Sequence, residues 1–120
     1  MRICFDIDGV LCDQSEGNYE DAKPHREMID LLNRLYDRGD WIVLYTSRFM
    51  GRCKGERKEV ERIGRKFTEL QLTSWGVNYH ELWMGKPRYD LVIDDRSVFY
   101  DPDCARIAST LEERRKATLK

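Results

Sequence analysis

Short β-prone apolar runs alternate along this chain with stretches of helical period, and that alternation leaves few architectures open to it. The first run, at 3–5, stops at Asp6-Ile7-Asp8-Gly9. After a polar, turn-rich stretch at 12–24, Met28, Ile29, Leu31, Leu32, Leu35 and Tyr36 recur at helical spacing up to Gly39, which predicts an amphipathic helix. The run Trp41-Ile42-Val43-Leu44-Tyr45 has the pattern of a strand buried on both faces and ends in Thr46-Ser47-Arg48. Val60, Ile63, Phe67, Leu70 and Trp75 mark a second helix, with Gly76 as its stop. A short strand is expected within 80–84, a better one at 91–93 before Asp94-Asp95-Arg96, and a highly charged helix from about Asp103. This order predicts an α/β fold: a three-layer α/β/α sandwich around a mostly parallel sheet. The 120 residues suffice for one such domain, spanning 1–120, and are too few for two.

Parallel strands bring their carboxyl ends to one edge, where the ligands of such folds collect. Three expected strands end in polar side chains: Asp6 and Asp8, then Thr46 to Arg48, then Asp94 and Asp95. In an extended segment residues i and i+2 share a face, so Asp6 and Asp8 repel unless something positive lies between them. A bound cation, a phosphate-handling role and solvation at a strand end are the available answers. Gathering four carboxylates costs several kcal/mol unless a cation neutralises them or some take up protons. Mg²⁺ suits such an oxygen-only set, completed by water and substrate phosphate. His25 and His80 lie outside the strand ends and read as ordinary surface or packing residues. With phosphate in view, one carboxylate can attack phosphorus, a second can protonate the leaving oxygen, and a hydroxyl and an ammonium can hold the equatorial oxygens. Lys86, in Gly85-Lys86-Pro87, is the candidate ammonium.

The bulk numbers exclude little beyond this. A net charge of −1 with 36% charged residues places any electrostatic preference in local clusters and does not suggest nucleic-acid binding by the whole. Cys4, Cys12, Cys53 and Cys104 are scattered, with no Cys-x-x-Cys pair and no leader-like start, as expected of reduced thiols in a cytoplasmic protein. Every apolar run is far shorter than the ~20 residues that span a bilayer, so no membrane partner is expected. The three tryptophans read as core or helix-end packing.

Four of these stretches together resemble the signatures of the haloacid dehalogenase superfamily. Phe5-Asp6-Ile7-Asp8-Gly9-Val10-Leu11 resembles the first, Tyr45-Thr46-Ser47-Arg48 the second, Lys86 the third and Val92-Ile93-Asp94-Asp95 the fourth, in order over about three quarters of the chain. The resemblance implies a Rossmann-like hydrolase that works through an aspartyl-phosphate. Asp6 would be the nucleophile and Asp8 the general acid and base. Thr46 would hydrogen-bond the transferring phosphoryl group, and Lys86 would stabilise its charge. Mg²⁺ would be held by Asp6, the backbone carbonyl of Asp8 and Asp94, with Asp95 as a ligand through water or a supporting carboxylate. Ser47 and Arg48 would bind substrate, although Arg48 could instead pair with a carboxylate. Only 37 residues separate Asp8 from Thr46, and they already hold a helix, so no cap domain is expected. Cap-less members of this superfamily gain coverage from loops or a neighbouring subunit, which makes a homo-oligomer an open expectation.

Within the superfamily, the chain resembles small phosphatase-like proteins of capsule and surface-polysaccharide synthesis, which implies a sugar phosphate as the small phosphorylated substrate. Its Thr-Ser-Arg and Ile-Asp-Asp-Arg stretches also resemble the 3′-phosphatase domain of phage polynucleotide kinase, which implies a nucleic-acid end. A nucleotide is a third option. Between Arg48 and Lys66 eight basic residues outnumber three acidic ones, which reads as a solvated helix face or as an anion-attracting rim favouring a polyanionic substrate. Two other classes stand beside the enzyme. A receiver domain of two-component signalling would place its phospho-acceptor Asp on the middle strand, where this chain has Thr46-Ser47. A catalytically silent phosphate-binding module would keep the same residues without turnover.

Overall fold

The computed structural model describes residues 1–118. Three strands, β1 (Arg2–Phe5), β2 (Trp41–Tyr45) and β3 (Glu81–Trp83), form one parallel sheet in the order β1-β2-β3. Helix α1 (Arg26–Asp37) bridges the first parallel pair and α2 (Arg57–Ser74) the second, because parallel neighbours need a long crossover. Helix α3 (Cys104–Thr118) follows β3 after a long irregular stretch. Phe5 pairs with Leu44 and Tyr45 with Trp83, so the three strands end nearly level. The chain is therefore α/β with a parallel three-stranded sheet.

The apolar stripe of α1, Met28, Ile29, Leu31, Leu32 and Leu35, is wholly buried and packs with Ile42 and Leu44 of β2. Val60 and Leu72 of α2, and Ile107 and Leu111 of α3, complete the same core. The other parity of β2 is less covered than its sequence suggests. Trp41 is 44% exposed and Trp83 on the neighbouring strand 55%; both donate their indole N–H to Glu81. These two tryptophans are surface residues, whereas Trp75 is buried at the C-terminal end of α2. His80 stacks between Tyr36 and Trp41, an ordinary packing role.

The strand expected at 91–93 does not form. Leu91 is 88% and Ile93 101% exposed, in an irregular segment with no ladder partner. Strand propensity describes the fit of a side chain to a half-buried pleated surface; without a neighbour to pair with, an apolar run has no reason to order as a strand. All four cysteines are free thiols. Among the described residues no helix is long and apolar enough to cross a membrane.

Candidate active site

The carboxyl ends of the strands open onto a cavity of about 560 Å³. Asp6 and Asp8 both line it, while Ile7 between them, at a bend just past the end of β1, is completely buried. Beyond Asp8 the chain folds back on itself: the Ile7 carbonyl accepts from the N–H groups of Val10, Leu11 and Cys12. Gly9 makes this turn at φ +88°, and a Cβ there would stand 2.8 Å from the Gln14 side-chain amide nitrogen. The positive φ is the demand that favours glycine here, since the Gln14 amide lies at the end of a flexible side chain.

Separate cations meet the repulsion between the two carboxylates. Arg48, whose side chain is completely buried, grips Asp8 in a fork, Nε to Oδ2 at 2.9 Å and Nη2 to Oδ1 at 3.0 Å. Its Nη1 donates to the Gln71 side-chain oxygen at 2.6 Å, and its guanidinium carbon lies 4.8 Å from the centre of the Tyr19 ring. Of the two roles open to Arg48, the structure places it in the pairing one, with every guanidinium nitrogen engaged by the protein. Lys86 Nζ approaches Asp6 Oδ2 at 3.5 Å. Burial raises the Asp6 carboxyl above its ordinary range, against the opposing pull of Lys86 and of the Ile7 N–H, which donates to it at 2.8 Å. Burial alone would push the Lys86 ammonium down, but its hydrogen bond to Tyr89 and the charge of Asp6 outweigh that and leave it raised.

Thr46 stands at the end of β2, nearly inaccessible, its Oγ1 accepting the Arg48 N–H at 3.1 Å and its carbonyl accepting the Lys86 N–H at 3.0 Å. It thus ties the second and third strand ends together, while the neighbouring Ser47 lines the cavity and Thr46 does not. The Cys12 thiol beside Asp8 is pushed up to about 12, chiefly by burial and then by the Asp8 charge. Such a thiol is protonated at neutral pH and is no nucleophile.

Asp94 and Asp95 are not brought to this edge. Both are exposed, and the Asp94 carboxylate accepts the Arg96 N–H at 2.8 Å in a local turn. Since the segment before them forms no strand, nothing carries them to the ends of β1 and β2. The Asp8 carbonyl accepts from the Gln14 amide at 3.4 Å. Among the described residues no group of three or more His, Cys, Asp or Glu side chains is gathered to hold a metal ion. This arrangement therefore does not fit a magnesium centre built on Asp6, Asp8, Asp94 and Asp95.

Most of the basic stretch belongs to a solvated helix face: Arg62 pairs with Glu59, Arg65 with Glu61, and Arg57 donates to the Gly85 carbonyl. Arg48 and Arg52 alone of its eight cations line the cavity. Gln71, Tyr19 and Arg88 also belong to the site, and no motif marked them. Gln71 comes from the last turn of α2, and helical periodicity distinguishes apolar from polar positions but not one polar position from another.

No protein-family model and no curated protein matches the chain. Among solved structures, the chain is similar to a crystal structure of a target protein from Vibrio cholerae, at 24% identity and a TM-score of 0.78, over 94% of this chain and 98% of that one. At that identity the likeness shows the fold.

Proposed function

We propose that the chain is a cytoplasmic phosphomonoester hydrolase of the haloacid dehalogenase type, acting on a small phosphorylated substrate such as a sugar phosphate of polysaccharide synthesis, with a nucleotide or a polynucleotide 3′ end as the alternative. The observation that carries this reading is the Asp6–Lys86 pair beside Asp8 at the level carboxyl ends of a parallel sheet. In the first step an Asp6 oxygen forms a bond to phosphorus as the bond from phosphorus to the leaving-group oxygen breaks, and Asp8 passes its proton to that departing oxygen, which leaves as the alcohol. In the second, water attacks phosphorus, passes a proton to Asp8 and frees Asp6 and inorganic phosphate. Lys86 holds the charge that grows on the phosphoryl oxygens, and Arg48 fixes the orientation of Asp8. Mg²⁺ belongs to the proposal as a requirement to be tested, and no step above is routed through it. A three-layer α/β/α sandwich around the parallel sheet is likewise part of the proposal.

A second reading, a phosphate-binding module without turnover, is favoured by the fork of Arg48 on Asp8 and by an Asp94 that is exposed and does not line the cavity. Phosphate release with Mg²⁺ present, measured across sugar phosphates, nucleotides and 3′-phosphorylated oligonucleotides, separates the two. Turnover that vanishes in Asp6→Asn supports the hydrolase; binding of the same compounds without any release supports the module.

A further inference from the structure

The cavity is larger than a phosphoryl group needs, and its volume of about 560 Å³ lies in the range of small-ligand pockets. Its inner charges are balanced in pairs, Asp8 with Arg48 and Asp6 with Lys86. Further out, Arg52 and Arg88 share the wall with a single exposed carboxylate, Glu16. Arg52 is held in place: its Nη2 donates to the Gly17 carbonyl at 3.0 Å, and its guanidinium carbon lies 4.8 Å from the centre of the Phe49 ring. Arg88 has no hydrogen-bond or ion-pair partner among the described residues. It lies against Gly51, where a Cβ would come within 2.5 Å of its Nη1, so the absence of a side chain at 51 makes room for the guanidinium. The Ser15 hydroxyl, on the same wall, is buried without a partner among the described residues. Two guanidiniums against one carboxylate, one of them without a partner, make a wall that favours an anion able to take paired N–H donors.

We propose that the site accepts phosphomonoesters bearing a second anionic group, with Arg52 and Arg88 as the residues that select for it. This rests on the phosphate reading of Asp6 and Lys86 given above. The scaffold between the two anions, sugar or nucleoside, is the part that experiment distinguishes.

The test compares kcat/KM for a sugar bisphosphate and for a nucleoside 3′,5′-bisphosphate with that for each corresponding monophosphate. On at least one scaffold the bisphosphate is preferred by roughly tenfold or more, and the preference collapses toward one in Arg88→Ala. Gly51→Ala, which removes no charge but displaces Arg88, lowers the preference as well. A bisphosphate-to-monophosphate ratio near one on both scaffolds, or a ratio unchanged in Arg88→Ala, overturns the inference while leaving the hydrolase intact. If neither compound is turned over, calorimetric titration of the same pairs decides. Tighter binding of the bisphosphate that is lost in Arg88→Ala sustains the second-anion site and sinks the hydrolase, whereas equal binding of both sinks this inference too.

Discussion

Asp6 and Asp8 stand two residues apart yet meet different surroundings, a single ammonium at 3.5 Å for one and a buried guanidinium fork for the other. Their substitutions should differ accordingly. Asp6→Asn should abolish turnover and leave no acyl-phosphate. Asp8→Asn should still be phosphorylated by an aryl phosphate, whose leaving group needs little protonation, and should then accumulate phosphoenzyme. General acid or base help is worth ~10²- to 10⁴-fold, so the Asp8 defect should be large with an alkyl phosphate and small in the first step with an aryl one. Rapid-quench trapping of label from an aryl phosphate checks this, and label retained by Asp6→Asn would reverse the two assignments. Arg48 poses a separate question of stability. Arg48→Met would leave the Asp8 carboxylate, 16% exposed, without its partner, and breaking such a pair costs about 3–5 kcal/mol. Urea unfolding of Arg48→Met, Asp8→Asn and the double variant should show the double variant recovering part of that loss, since it removes the stranded charge as well.

Elements differ in how tightly they are built, and α2 carries the sharpest case. Gly64 sits within it, and an alanine there would gain about 1 kcal/mol of helix propensity in an exposed position. Here the added Cβ would stand 2.6 Å from the Phe49 ring and 3.1 Å from the Met84 methyl. Phe49 is itself held at φ +68° and is 6% exposed, so it has little freedom to give way. Overpacking of this kind costs about 1–3 kcal/mol, and Gly64→Ala should lower the urea midpoint rather than raise it. At 91–93, amide hydrogen exchange should be fast, in contrast with the buried Ile42–Leu44 segment of β2, and protection equal to that of β2 would contradict the irregular conformation. This contrast also marks what the sequence could disclose. Helices α1 and α2 were legible because burial imposes a period on their side chains, although Leu70, on the expected apolar side of α2, is 58% exposed; β2 was legible as a continuous apolar run, and Asp6 and Asp8 because they follow a strand-like one. Leu91-Val92-Ile93 has the same composition as a buried strand, but pairing depends on a neighbouring edge that no local pattern encodes, and Asp94 and Asp95 were misplaced with it. Arg88 lines the cavity, and Gln71 holds Arg48 beside it, only through tertiary packing, and their residue types are unremarkable in a loop or on a polar face.

At the scale of the molecule, one nearly inaccessible carboxylate joins three distant parts of the chain. Asp40, 2% exposed in the turn before β2, accepts from the N-terminal ammonium of Met1 at 2.7 Å and from both terminal nitrogens of Arg115 on α3, at 2.8 and 2.6 Å. The Arg115 hydrogen bonds, helped by the N-terminal charge and opposed by burial, hold the Asp40 carboxyl down from 3.8 to about 2. A carboxyl whose folded value is depressed stabilises the fold fully above its unfolded value and loses that contribution as pH falls through the folded one. The window here runs from about pH 4 down to about pH 2, and the amount at stake is on the order of 2 kcal/mol. Asp40→Asn should therefore be destabilised at neutral pH by an amount of that order, and its deficit relative to the unaltered protein should shrink as pH falls through this window. Denaturant unfolding of both proteins at a series of pH values checks it. A deficit that stays constant down to pH 2 would locate the loss in altered packing instead of charge. Because the pair joins α3 to the start of the sheet, its protonation should release α3 first, with Ile107 and Leu111 leaving the core ahead of the α1–β2 contact.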